Sequence, residues 1–132
     1  MQTLANVVEA TGFGVLDHLD KQVEVPVVAG MQAQGDLFVI PTTQSAGSEV
    51  VPLEGIPVIE AIGGGHEHRL FAGEAGTAYF RPLHRGADIG VLKCDAPAYL
   101  LHPEHGATGI APGTYMLRRQ REQAEEERLV AD

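Results

Sequence analysis

The sequence predicts a mainly β protein, a small antiparallel barrel or sandwich with an N-terminal extended arm and a short C-terminal helix. Short apolar runs recur at regular spacing along the chain, and turns that contain glycine, proline or aspartate separate them. The chain contains 16 glycines and 8 prolines, which favour many short elements over a few long helices. At 132 residues it is long enough for one domain with a core of its own.

Residues 1–31 are predicted to form an arm ahead of the sheet-built domain. The segment MQTLANVVEATG can form a short helix that stops at Gly12 and carries Leu4, Val7 and Val8 on one side. A short apolar segment placed before a complete domain is typical of an arm that reaches a neighbouring chain.

The second part of the arm is VEVPVV, residues 23–28. Its apolar and other residues alternate, and Pro26 lacks an N–H, so this run suits an edge strand or an extended segment. A strand added to another chain gains main-chain hydrogen bonds. The side chains predicted to bind a partner are Leu4, Val7, Val8, Val23, Val25 and Val27.

Residues 32–121 are predicted to form the β-barrel or sandwich domain. Hairpin turns are expected at 73–76 and 84–88, and a bulge or bend is expected at the glycines of 63–65. The turn sequences QGD, DAP and APG separate further strands. The predicted strands are LFVIP (37–41), IPVIEAI (56–62), HEHRLF (66–71), TAYFRP (77–82), IGVLK (89–93), AYLLH (98–102) and TYMLRRQ (114–120).

Residues 122–132 are predicted to form a short helical tail, because helix formers replace the β-branched residues there. Several basic residues precede acidic ones by four positions, which gives weak side-chain pairs on a helix. One interpretation is a solvated helix face. The other is an assembly contact through Leu129 and Val130.

Composition argues against several classes of protein. A formal charge of −9 disfavours both a nucleic-acid partner and an anionic membrane surface. No apolar run approaches the roughly 20 residues of a membrane span, and no signal peptide is recognisable, so we expect a cytoplasmic protein or a part of a virion. The one cysteine, Cys94, excludes an internal disulfide and is expected to be a small buried apolar residue.

Four of the six histidines form two short pairs, and these are the candidate metal ligands. His66 and His68 are two apart and would share one face of a strand, while a turn in HPEH can bring His102 and His105 together. The two pairs on neighbouring strands would hold a transition metal such as zinc or iron. In a catalytic site a metal-bound water would react with the help of a carboxylate. The carboxylates within reach are Glu67 and Glu104.

A simpler interpretation of each pair stands beside the metal site. A single His-X-His is common in ordinary strands. HPEHG can be a loop whose imidazoles accept hydrogen bonds from its own backbone. On this interpretation the histidines tie the loop after Leu101 to the strand after Gly65 through a structural metal or hydrogen bonds, with no catalytic role.

The stretch GGGHEHRLFAGEAG resembles in part the first motif of the cupin family, in which Gly, His-X-His, Glu and Gly follow one another. The resemblance implies a metal-binding β-barrel. Two departures weaken it. Glu74 follows His68 by more residues than in the family, and no histidine follows Pro112–Gly113, where the second motif would supply one.

A longer resemblance covers residues 32–130. QGDLFVIP, GGHEHRL, APAYLLHPEHG and PGTYMLRRQRE occur in this order and are similar to segments of a family of small uncharacterised bacterial and phage proteins. The resemblance implies a compact β domain and assigns no catalytic residue. This chain departs from the family by the residues ahead of QGD and by Gln123, where an aromatic residue often follows QRE.

Two functions from different classes are expected from these observations. The first is a non-enzymatic structural protein that docks on a larger assembly as a homo-oligomer, namely a phage capsid decoration (cement) protein. The second is a cupin-like, metal-binding small enzyme or binding module that uses His66, His68, His102 and His105. The arm favours the first function and the histidine pairs favour the second.

Overall fold

The computed structural model describes residues 2–14, 24–59 and 67–119, which form one helix and ten strands. Within these ranges no helix is long and apolar enough to cross a membrane. The elements are α1 (Leu4–Thr11), β1 (Val27–Val28), β2 (Gln32–Gln34), β3 (Leu37–Pro41), β4 (Ile56–Ile59), β5 (His68–Ala72), β6 (Ala78–Arg85), β7 (Asp88–Cys94), β8 (Ala98–His102), β9 (Gly106–Ile110) and β10 (Gly113–Arg119).

The strands form two five-stranded sheets, and the predicted mainly β fold is confirmed as a sandwich that does not close into a barrel. The strand order is β1-β9-β8-β5-β4 in the first sheet and β2-β3-β10-β7-β6 in the second. Neighbouring strands are antiparallel, except that β1 runs parallel to β9.

The turn at 73–76 is not a hairpin, and this prediction from the sequence was wrong. The strand before it, β5, pairs with β4 and β8, whereas β6 after it pairs with β7 in the other sheet. The turn therefore carries the chain from one sheet to the other. The predicted hairpin at 84–88 is confirmed, because it joins the paired strands β6 and β7.

The main core lies between the two sheets, because every second residue of a strand faces the same side. Cys94 belongs to it and is 2% exposed, as a small buried apolar residue is expected to be. The members of this core are Leu37, Val39, Val51, Val58, Leu70, Ala78, Phe80, Leu92, Cys94, Ala98, Leu100, Ile110, Tyr115 and Leu117.

Helix α1 covers the outer face of the first sheet. Thr3 begins the helix with a reciprocal pair of side-chain hydrogen bonds to Asn6, and Gly12 ends it in the left-handed region at φ 71°. The predicted helix and its stop at Gly12 are confirmed. The helix buries Leu4 and Val7 against a second apolar cluster that also contains Val25, Phe71, Tyr99 and Leu101. Strand β8 is buried along its whole length because the helix covers one face and the second sheet covers the other.

The described residues of the predicted arm therefore pack on their own domain. Leu4, Val7 and Val25 are at most 3% exposed, so in this packing their side chains are not available to a partner. Val8 is partly buried beside them, whereas Val27 on β1 is 41% exposed. Val23 and the predicted helical tail of residues 122–132 lie outside the described residues.

Candidate functional site

A cluster of polar side chains lies at one end of the sandwich interior, and we call it the histidine cluster. It consists of Gln34 at the end of β2, His68 at the start of β5, His102 at the end of β8, and Asp36 and His105 in the adjoining turns. His68 and His102 each lie two residues from a fully buried core leucine of the same strand, so they face the space between the sheets. Gln34, His68 and His102 are at most 6% exposed.

Gln34 links the two sheets. It belongs to the second sheet, and its Nε2 donates to the backbone O of Leu100 at 2.9 Å and to Oγ1 of Thr108 at 3.1 Å, both in the first sheet. The same nitrogen lies 3.4 Å from the backbone O of Gly106. A carbonyl can only accept, so these contacts fix which end of the amide is the nitrogen. The amide oxygen of Gln34 must therefore face His68.

This orientation of Gln34 determines the tautomer of His68. The Gln34 Oε1 atom lies 2.9 Å from Nδ1 of His68 and can only accept, so Nδ1 carries a hydrogen and donates it. The other ring nitrogen, Nε2, lies 3.2 Å from Oδ1 of Asp36. Burial lowers the pKa of His68 and outweighs the nearby Asp36 carboxylate, which raises it; His105 lowers it further.

His102 is held in the opposite tautomer. Its Nδ1 accepts hydrogen bonds from the backbone N–H groups of Glu104 at 3.1 Å and His105 at 3.3 Å. A neutral His102 therefore carries its proton on Nε2. This is the backbone-capping arrangement that was one interpretation of HPEHG, and it stabilises the turn between β8 and β9.

The three imidazoles are close neighbours. The ring centroid of His102 lies 4.4 Å from that of His68 and 4.5 Å from that of His105. The His68 and His105 rings are 6.4 Å apart and nearly parallel, at 14°. The loop after Leu101 and the strand after Gly65 therefore lie against each other through these rings.

Gly35 leaves the room that this arrangement needs. It adopts φ 60° in the turn between β2 and β3, a conformation that favours glycine. A Cβ at this position would lie 2.8 Å from Nε2 of His105 and 3.5 Å from Cε1 of His68. A side chain at position 35 would therefore push His105 away from the cluster.

Three of the four predicted metal ligands, His68, His102 and His105, are brought together, and His66 lies outside the described residues. Among the described residues, no three histidine, cysteine, aspartate or glutamate side chains are arranged to hold a metal ion. The four-histidine site stays a prediction. Glu67, one of the carboxylates predicted to assist a metal-bound water, forms an ion pair with Arg69 at 2.7 Å.

Two members of the cluster, Gln34 and Asp36, were not identified as site residues from the sequence. Both belong to the QGD segment, which was interpreted as a turn. The available signal was a glutamine and an aspartate on either side of a turn glycine. Nothing in the local pattern indicated that a histidine more than 30 residues away would contact both of them.

The fold and the site define a class, a small β-sandwich in which a buried glutamine and buried histidines lie beside a partly exposed carboxylate. The chain belongs to the family described as "Domain of unknown function (DUF8820)", which matches residues 33–120. No curated protein and no solved structure matches the chain. The matched range contains every member of the histidine cluster and begins after α1 and β1. Membership in an uncharacterised family is thus confirmed, while the QGD to QRE motif pattern stays a prediction.

Proposed function

We propose that the protein is a non-enzymatic structural protein that docks on a larger protein assembly as a homo-oligomer, in the manner of a phage capsid decoration protein. The observation that carries this proposal is an exposed apolar pair at one edge of the sandwich. Val27 on β1 is 41% exposed and Met31, which precedes β2, is 62% exposed. We call these two residues the β1 edge patch.

Strand β1, which carries Val27 of this patch, is held to its own domain by main-chain hydrogen bonds. Val27 and Val28 pair with β9, and Ala111 N donates to Val28 O at 3.0 Å. Gly109 allows this close approach, because a Cβ there would lie 2.6 Å from the backbone O of Pro26. The buried side chains of the N-terminal segment anchor it to the domain and leave the edge patch facing outward. An edge strand with exposed apolar residues is suited to pairing with another chain.

The charge of the protein supports a protein partner. A net charge of −9 keeps a free subunit soluble and disfavours phosphate-rich partners. A soluble subunit that disfavours phosphate-rich partners is consistent with docking in a virion, or in the cytoplasm during assembly.

The test compares two matched pairs of exposed apolar residues by native mass. Val27→Asp with Met31→Asp alters the edge patch, and Val50→Asp with Leu53→Asp is the control, since Val50 and Leu53 are 48% and 72% exposed elsewhere. We expect the wild type and the control to be oligomers and the edge variant to be a 14.1 kDa monomer by light scattering. A monomeric wild type, or an edge variant that keeps the oligomeric mass, would contradict the proposal.

A metal-binding, cupin-like module is the second candidate function, and the proximity of three imidazoles favours it. If His66 joins His68, His102 and His105 around one ion, purified protein will contain nearly one transition metal ion per chain. The double substitution His66→Ala with His102→Ala will then release it. Protein that is purified without chelators and carries no metal would argue against this candidate.

A further inference from the structure

One contact within the histidine cluster, between His68 and Asp36, joins two atoms that both accept hydrogen bonds. Since Nδ1 of His68 donates to Gln34, a neutral His68 presents a lone pair at Nε2. That lone pair faces Oδ1 of Asp36 at 3.2 Å. Two acceptors at this distance repel each other unless a proton or a metal cation lies between them.

A proton is the less favoured bridge. It would make His68 an imidazolium, yet the ring is only 2% exposed and burial disfavours its charged form. A neutral His68 directs its Nε2 lone pair at the carboxylate of Asp36.

We propose that Nε2 of His68 and Oδ1 of Asp36 together bind a divalent transition-metal ion, with Zn²⁺ as the reference ion. Zinc lies about 2.0–2.2 Å from imidazole nitrogen and carboxylate oxygen, so two such ligands at a tetrahedral angle are roughly 3.4 Å apart. The observed separation of 3.2 Å fits this arrangement. The inference refines the metal-binding candidate and is independent of docking through the β1 edge patch.

Gln34 acts as a positioning residue in this site. A metal-bound histidine usually donates its second ring N–H to a fixed acceptor, which sets the tautomer and the ring orientation. Gln34 Oε1 provides that acceptor for His68, and its own amide is fixed by Leu100 and Thr108. Gln34 thus aligns the lone pair of His68 with the site.

The site can be reached from solvent and can gain a third ligand. The side chain of Asp36 is 41% exposed, and His105 is exposed beside Gly35. The metal-free arrangement of the described residues brings no three ligands around one point. Rotation of the exposed His105 side chain supplies the third ligand, and water completes the coordination.

His102 is excluded from the ligand set by its hydrogen bonds. A neutral imidazole binds a metal through the nitrogen that lacks a proton, and the Nδ1 of His102 is occupied by the backbone N–H groups of the turn. Binding through Nε2 would require its proton to move to Nδ1, and both backbone hydrogen bonds would then be lost. The site at His68 and Asp36 therefore differs from the predicted four-histidine site, which requires His102 as a ligand.

The experiment titrates the full, untagged chain with Zn²⁺ by calorimetry at neutral pH after dialysis against a chelator. We expect one saturable site per chain. Asp36→Asn keeps the shape of an accessible side chain and is expected to weaken zinc binding by roughly 100-fold or more. Asp95→Asn, at another exposed aspartate, is the control and is expected to bind like the wild type.

His102→Asn gives the decisive comparison. The asparagine oxygen can replace Nδ1 as acceptor for the turn, but the variant has no Nε2. We expect zinc binding within a few-fold of wild type, whereas the four-histidine site predicts its loss. Far-UV circular dichroism of each variant confirms that it is folded, and Co²⁺ absorption provides a second readout of coordination.

Three results would overturn the proposal. They are a wild-type protein without saturable zinc binding, an Asp36→Asn variant that binds as tightly as wild type, and a folded His102→Asn variant that has lost the site. The first result would leave a proton as the bridge between His68 and Asp36. None of these results bears on the oligomeric state, so the docking proposal is tested separately.

Discussion

Replacement of Gln34 by leucine tests the link that holds the two sheets together at the histidine cluster. The substitution nearly preserves side-chain volume and removes both polar ends of the amide. It leaves the Nδ1–H of His68 and the backbone O of Leu100 without their partners in a buried site. An unsatisfied buried polar group costs about 1–3 kcal/mol, so the expected loss is roughly 3 kcal/mol for the pair.

The matched control is Gln32→Leu. Gln32 lies two residues earlier on the same face of β2 and donates one hydrogen bond to Gly109 O at 2.9 Å, but it is only partly buried. Water can replace that partner, so we expect a loss of at most about 1 kcal/mol. Urea unfolding followed by circular dichroism measures both values from the transition midpoints.

The expected difference between the two variants is about 2 kcal/mol, or roughly 8 °C in Tm for a chain of this size. Equal losses of unfolding free energy in the two variants would show that the hydrogen bonds of Gln34 stabilise the protein no more than the hydrogen bond of the partly buried Gln32. The assignment of the His68 tautomer would then lose its structural basis.

Two further predictions concern the N-terminal segment and the cysteine. Leu4→Ala removes a side chain that is 3% exposed and is expected to reduce the free energy of unfolding by about 2–4 kcal/mol, against about 1 kcal/mol for Val8→Ala on the partly buried side of α1. Equal small effects in urea unfolding would mean that α1 does not pack on the first sheet. Burial raises the pKa of the Cys94 thiol, so an aromatic disulfide reagent should react with it only after unfolding. Rapid reaction in the folded protein would contradict its burial.

The sequence predicted individual elements well where local chemistry determines them. Apolar runs bounded by turns predicted β3 at its observed limits, and Gly12 marked the end of α1 because only glycine adopts its left-handed conformation without strain. The strand β9, with its sequence GATGI, was not predicted. Its two glycines make a weak strand signal, and the position is set by pairing with β8.

The sheet arrangement could not be predicted from the same signals. A glycine-rich turn such as 73–76 serves equally well to join paired strands or to cross between sheets. The choice depends on which strands pair, and this is decided by packing between residues that are distant in sequence. The packing of the N-terminal segment was missed for the same reason, since Leu4 and Val7 have apolar partners on β5 and β8.

The histidine cluster was predicted in part. The spacing of the histidines indicated that His68, His102 and His105 would meet, and they do. The spacing of the histidines could not predict which ring nitrogens of His68 and His102 carry a hydrogen. This follows from the hydrogen bonds of Gln34 and of the turn backbone. Those contacts depend on how β2 of the second sheet packs across the first sheet.

The most direct test of the central claim is the tautomeric state of His68 in metal-free protein. Long-range proton–nitrogen NMR spectra of the imidazole rings report which nitrogen carries the hydrogen. We predict a neutral His68 protonated at Nδ1, together with a neutral His102 protonated at Nε2. A His68 ring protonated at Nε2, or at both nitrogens at neutral pH, would contradict the proposed cation site.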